Sequence, residues 1–177
     1  MADPTTDPTA GAATAAVHRL NHAVLFVADA ERAKRFYCEL LGFVPVHEIA
    51  GKAAFLRAAG STNDHDLGLF AVGPQAPPRN PGGIGLYHLA WQVDTIDELA
   101  VLEARLRQAG SLVGASDHGV SRALYAVDPD GNEFEVMWAT PQAGWPDTTV
   151  STRPLDLAGD LQRFSGVRTL HELTTAG

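Results

Sequence analysis

The feature that most constrains the fold is that the chain is written twice. The segment LNHAVLFVADAERAKRFYCELLG (Leu20 to Gly42) runs parallel to LYHLAWQVDTIDELAVLEARLRQAG (Leu86 to Gly110). Each opens on alternating strand-like residues, turns at an Asp, and enters an amphipathic helix that ends at a Gly. Self-similarity on this scale means one supersecondary unit used twice. Asp29 and Asp94 are placed to accept from the orphan N–H groups of a first helical turn. Leu99, Leu102 and Leu106 recur at helical spacing and give one apolar stripe. Gly42 and Gly110 suit the left-handed residue that closes a helix. Three strand-like runs follow each helix: FVPVHEI, AAFLRA and DLGLFAV in the first copy, SLVGAS, SRALYAV and EFEVMWA in the second.

The order is therefore βαβββ, linker, βαβββ. This predicts an α+β protein in which two βαβββ modules pair into an open, cupped β-barrel. The modules fall at 18–72 and 84–139 of a single domain spanning 18–139. The Pro/Gly-rich stretch GPQAPPRNPGG (73–83) belongs to neither copy and reads as the linker. Residues 1–17, MADPTTDPTAGAATAAV, lack both a basic start and an apolar core and read as a disordered leader, not a signal peptide. The tail, 140–177, loses strand periodicity, with a short helix expected over Leu157 to Phe164.

Composition narrows the partners. The formal charge of −8 comes without any basic run. Nucleic acid and anionic membrane surfaces both select for clustered Lys and Arg, so neither is an expected partner. No apolar stretch approaches the roughly 20 residues that span a bilayer. The single cysteine, Cys38, forms no intrachain disulfide and fits a cytoplasmic location. Its place mid-helix beside Phe36 and Leu41 makes it a small apolar packing residue.

His22 and His88 occupy the same place in the two copies, the third residue of the first predicted strand. Strand side chains alternate faces, so His22 shares a face with Val24 and Phe26, and His88 with Ala90 and Gln92. A lone strand histidine is usually a hydrogen-bonded core residue. Equivalent placement in a second copy argues for a common role in one central cavity. Glu135, on the last predicted strand with Glu133 and Met137 as face-mates, is the natural third member. Two neutral imidazoles and a carboxylate form the facial triad that suits non-haem Fe(II) and leaves open positions. A cation beside Glu135 also makes burial of that charge tolerable. Val24, Phe26, Phe55, Phe70, Trp91 and Met137 are candidates to line a mostly apolar pocket. His18, His47 and His171 fit no part of this constellation.

At these residues the sequence resembles the vicinal oxygen chelate superfamily, which includes glyoxalase I, fosfomycin and bleomycin resistance proteins, and type I extradiol dioxygenases. The resemblance covers about Leu20 to Ala139. The stretch HGVSRALYAVDPDGNEFE (His118 to Glu135) is similar to the signature of the extradiol ring-cleaving enzymes. That likeness implies metal ligation by Glu135 with His22 and His88, and hydrogen-bonding roles for His118 and Tyr125. HDLGL at His65 is similar to the run bearing the family's acid–base histidine. The resemblance further implies Fe(II), with Mn(II) as the other option, O2 as co-substrate, and a small aromatic diol cleaved beside its hydroxylated carbons. Family enzymes of this type are commonly four modules long, and two are present here. Homodimers are common in the superfamily.

Two other readings stay open. A glyoxalase-type isomerase or lyase needs a fourth protein ligand, and aligning NDHDL with NEFEV puts Asp66 in register with Glu135. The same alignment turns His65 toward the helices, although a place at the strand entrance allows it to face inward. A non-enzymatic small-molecule-binding protein is the other alternative; such members lack the ligands that this chain retains.

Overall fold

The structure, a computed structural model, describes residues 15–80, 82–145 and 152–170. Most of the leader expected over 1–17, and His171, lie outside the described residues. The first module runs β1 (Ala23–Val27), α1 (Ala30–Leu41), β2 (Val44–Ile49), β3 (Ala53–Arg57) and β4 (Leu67–Ala71). The second repeats it as β5 (Leu89–Val93), α2 (Ile96–Gln108), β6 (Leu112–Asp117), β7 (Ser121–Val127) and β8 (Glu133–Ala139). After a 3-10 turn at Gln142–Gly144 comes α3 (Leu157–Phe164). The protein is α+β, with two four-stranded sheets ordered β1-β4-β3-β2 and β5-β8-β7-β6. In each, the first strand lies parallel to the last and the other pairings are antiparallel.

Local chemistry sets the helix ends. Asp29 caps α1, its carboxylate accepting from the Arg32 N–H at 2.9 Å. Gly42, at φ 74°, closes that helix with its N–H on the Cys38 carbonyl. The second helix departs from expectation, because Thr95 caps it and Asp94 does not. Thr95 accepts from the Glu98 N–H while the Glu98 carboxylate returns to the Thr95 N–H, a reciprocal capping box. Asp94 instead takes the backbone N–H groups of Thr169 and Leu170 at 3.0 and 2.9 Å and pairs with Arg168. It ties the C-terminal segment to the second module.

Each sheet buries one face against its own helix. Leu25, Val27, Ala33, Tyr37, Leu56, Leu67 and Leu69 form the first core. Ile96, Leu99, Leu106, Leu124, Phe134, Val136 and Trp138 form the second. The two cores meet behind the sheets. Phe36 stands edge-on to Phe134 with centroids 6.0 Å apart, and Phe43 to Trp91 at 5.0 Å. The Tyr37 hydroxyl donates to Asp128 across the same seam at 3.3 Å. Alternation leaves the other face of each sheet open. In β1 this exposes Val24 (51 %) and Phe26 (72 %) between buried neighbours. Among the described residues no helix is long and apolar enough to cross a membrane.

Candidate metal centre and active site

Strand register fixes which residues of the two copies correspond. Ala23 pairs with Leu67 in the first sheet, and Leu89 with Phe134 in the second. His22 and His88, one residue earlier, are therefore equivalent. Glu135 pairs with Ala90, and the matching pair in the first module is Gly68 with Val24. The residue equivalent to Glu135 is thus Gly68, and Asp66 corresponds to Glu133. The alignment that offered Asp66 as a fourth ligand is off by two residues. Asp66 is also engaged elsewhere: its carboxylate accepts from Ala58 N–H (2.9 Å), Ser61 Oγ (2.8 Å) and Asn63 Nδ2 (2.7 Å). It organises the turn before β4.

The second module gathers most of the polar candidates. His88 Nε2 lies 3.1 Å from Glu135 Oε2, with both side chains largely covered. The other ring nitrogen of His88, Nδ1, is buried without a hydrogen-bond partner. Tyr125 sits directly across from Glu135 on β7, with its ring centroid 5.8 Å from that of His88. Its phenol is pushed above the usual tyrosine range by burial and then by the nearby Glu135 charge, so it stays protonated at neutral pH. His118, just past β6, brings Nε2 to 2.8 Å from that hydroxyl.

Two residues here carried no signal in the sequence. Tyr87 lies beside His88, ring centroids 4.7 Å apart, and its phenol is raised by hydrogen bonding to Glu133. Arg79, in the linker, donates to the carbonyls of Leu86 (3.0 Å) and Tyr87 (2.6 Å), holding the backbone that enters β5.

The first module holds a separate group. His22 and His65 stack with centroids 4.5 Å apart, and His65 stands edge-on to Phe55 at 5.2 Å. His65 therefore faces inward: it precedes β4, where strict alternation does not yet apply. The Asn21 amide oxygen lies 2.9 Å from His22 Nδ1 and can only accept, so in the neutral ring the proton sits on Nδ1 and Nε2 is the nitrogen left to bind. The Asp64 carboxylate does the same for His65 at 2.8 Å. His47, set aside in the sequence, lies against Phe55 on this face.

Among the described residues no three His, Cys, Asp or Glu side chains come together closely enough to hold a metal ion. His88 and Glu135 meet, and His22 is not with them. The donors nevertheless suit a divalent metal. Two ligands side by side on one ion, each bonded at about 2.1 Å, stand about 3 Å apart, which is the His88–Glu135 spacing. His22 presents a free Nε2 on the open face of the other sheet. The expected apolar lining divides likewise: Val24, Phe26 and Phe70 share the first sheet's open face, and Met137 that of the second. Trp91 belongs to neither, being turned back against Phe43. A cavity of about 670 Å³ lies between β1 and the start of β5, lined among others by Phe26, Arg79, Leu86 and Tyr87. None of His22, His88 or Glu135 lines it.

Paired βαβββ modules, each opening on an equivalent histidine just before its first strand, define a class of proteins built on one duplicated unit. The chain belongs to the glyoxalase/bleomycin resistance protein/dioxygenase superfamily, whose model matches residues 19–136. It is 33 % identical over 157 residues to a catechol-2,3-dioxygenase of Bacillus subtilis (strain 168), covering 84 % of this chain and 53 % of that one. It is 31 % identical over 123 residues to biphenyl-2,3-diol 1,2-dioxygenase 2 of Rhodococcus globerulus, covering 69 % and 63 %. The chain thus spans less than two thirds of the length of either relative. A glyoxylase/bleomycin resistance protein/dioxygenase domain from Frankia sp. EAN1pec shares the fold with TM-score 0.58 and 23 % identity, over 72 % of this chain and 96 % of that one.

Proposed function

We propose that this protein is an Fe(II)-dependent extradiol dioxygenase acting on a catechol-type aromatic diol. The observation that carries the reading is the array His118–Tyr125–His88–Glu135, in which a ligand pair and a protonated phenol share one sheet face. The likeness to two relatives named as diol dioxygenases supports it. Gly68 at the position equivalent to Glu135 removes the fourth carboxylate that an isomerase or lyase site would use. That favours three ligands with open positions.

In this reading His22, His88 and Glu135 hold iron, with Mn(II) as the other metal the donors accept. His22 reaches the other two from a second copy of the chain. The open face bearing His22 carries exposed Val24, Phe26 and Phe70, an apolar patch that a homodimer would cover. Twofold symmetry makes both sites complete at once.

When bound, the ion supplies Lewis acidity that lowers a catechol hydroxyl's pKa and gives O2 a place to be activated. The protein does the rest. His65, with Nε2 unprotonated, accepts a proton from the substrate hydroxyl and later returns it. When substrate is bound, the Tyr125 hydroxyl turns from His118 Nε2, its acceptor in the free protein, to the substrate oxygen on which negative charge develops, and His118 positions it for that turn. Val24, Phe26, Phe70 and Met137 supply apolar surface to hold the ring. Overall, the ring bond beside the diol opens, and both atoms of O2 enter a semialdehyde acid.

The test is anaerobic loading with Fe(II), followed by catechol and air. Oxygen uptake with a yellow ring-fission product is the expected result; an inert, colourless mixture overturns the assignment. Tyr125→Phe should retain iron yet turn over roughly 100-fold more slowly, the scale of one lost transition-state donor. Equal rates would remove Tyr125 from the mechanism.

A further inference from the structure

The superfamily match ends at residue 136, but the candidate site's polar contacts continue beyond it. Thr152 Oγ1 lies 3.4 Å from Nδ1 of His118, whose Nε2 faces the Tyr125 hydroxyl at 2.8 Å. We propose that Thr152 is a positioning residue: its hydroxyl accepts from His118 Nδ1–H and so holds His118 as the acceptor of the Tyr125 phenol. This rests on His118 and Tyr125 belonging to the site.

Proton direction follows from the acidities of the three groups. A phenol is a far stronger acid than an alkyl alcohol, and an imidazole nitrogen is a better acceptor than either oxygen. Tyr125 therefore donates to Nε2, the neutral ring carries its proton on Nδ1, and Thr152 is left to accept. Without a partner at Nδ1 the ring is free to flip or change tautomer, for it sits beside Gly119 at φ 80° in a tight turn.

Thr152 is held in place by its neighbours. Arg153 and Asp117 exchange both backbone hydrogen bonds, at 2.8 and 2.9 Å, extending the edge of β6 by one bridge. The Asp117 carboxylate accepts from the Gly119 N–H (2.7 Å) and from Arg122 Nη1 (2.6 Å), which sets the turn that carries His118. Arg122 is itself gripped by Asp160 of α3 at 2.6 Å. The C-terminal segment is thus a strap clamped at Asp117 and Asp160, and it brings one hydroxyl to the outer nitrogen of His118.

The experiment reads the ring directly. Protein labelled with 15N-histidine, free of iron and substrate, is compared by long-range 1H–15N NMR as wild type, Thr152→Val and Thr152→Ser. The wild type should show His118 in the Nδ1–H form, Thr152→Val a mixture of tautomers, and Thr152→Ser a return to the wild-type pattern. A wild type in the Nε2–H form, or a Thr152→Val spectrum identical to wild type, overturns the proposal. Unchanged melting temperatures separate this from a folding defect. In the loaded protein Thr152→Val should lower kcat by up to about ten-fold, the scale of one neutral hydrogen bond, with KM nearly unchanged. Because the NMR arm needs neither metal nor turnover, its failure is distinct from failure of the dioxygenase reading.

Discussion

Two variants that each fail to bind iron will recover it on mixing. His22→Ala removes the ligand proposed for the first module, and Glu135→Ala one of those proposed for the second. Each alone should lose more than about 100-fold in Fe(II) affinity, since even loss of a group that merely orients a metal ligand costs 10–100-fold. If every site draws His22 from one copy and His88 with Glu135 from the other, a mixed dimer contains one intact site and one doubly damaged site. Random exchange makes about half the dimers mixed, so about a quarter of sites return. The measurement is iron bound per chain after co-expression or brief dissociation and reassociation, with dimerisation checked by light scattering. No recovery between folded, dimeric variants would show that the ligands do not meet across copies. A monomeric wild type binding one iron per chain would show instead that the two sheets close on each other within a single chain.

How much of this was legible in the sequence depends on the range of the interaction concerned. Strand alternation is local, so the equivalence of His22 and His88 and the face-mates of Glu135 could be read directly, and the βαβββ order came from the same patterning. Register is not local. Matching NDHDL to NEFEV by their acidic residues put Asp66 opposite Glu135, whereas the hydrogen-bond ladder puts Gly68 there. His65 escaped the parity argument because it stands before β4, where the chain is still turning. Asp94 and Thr95 are adjacent side chains that can each accept at a helix start. The choice fell to Thr95 because Asp94 binds the backbone of Thr169 and Leu170, about 75 residues later in the chain. Trp91, expected in the pocket lining, has parity opposite to that of His88 and packs on Phe43 instead. The separation of His22 from His88 and Glu135 left no trace in the sequence, because a duplicated module is compatible with pairing inside one chain or between two. The strap was hidden for a similar reason: Arg122 reads as one more β7 residue until α3 delivers Asp160.

That buried pair should be where the C-terminal segment contributes most to stability. Arg122 is 7 % exposed and Asp160 1 %, and the guanidinium nitrogens Nε and Nη2 face the two carboxylate oxygens at 2.6 and 3.3 Å. Asp160→Asn leaves a guanidinium in the interior with only the Asp117 charge beside it. Breaking such a pair from one side costs about 3–5 kcal/mol, a large share of the about 5–15 kcal/mol that holds a domain folded. Replacing both partners, Arg122→Met with Asp160→Leu, should recover most of that loss, because neither charge then has to be desolvated and Asp117 keeps its pair with Arg153. Urea denaturation midpoints of the two variants against wild type are the measurement; equal losses in both would mean that the ion pair itself, not the stranded charge, carries the energy. The pH dependence has a definite sign. Burial raises the Asp160 pKa, but hydrogen bonds and charges from Arg122 and Arg163 outweigh it, so the folded carboxyl titrates below its ordinary range. A pKa lowered by folding stabilises above the unfolded value and loses that stabilisation as pH falls through the folded one. The gap between wild type and Asp160→Asn should therefore be widest near neutrality and narrow in acid below pH 4, as Asp160 takes up its proton and Arg122 is stranded in both proteins alike.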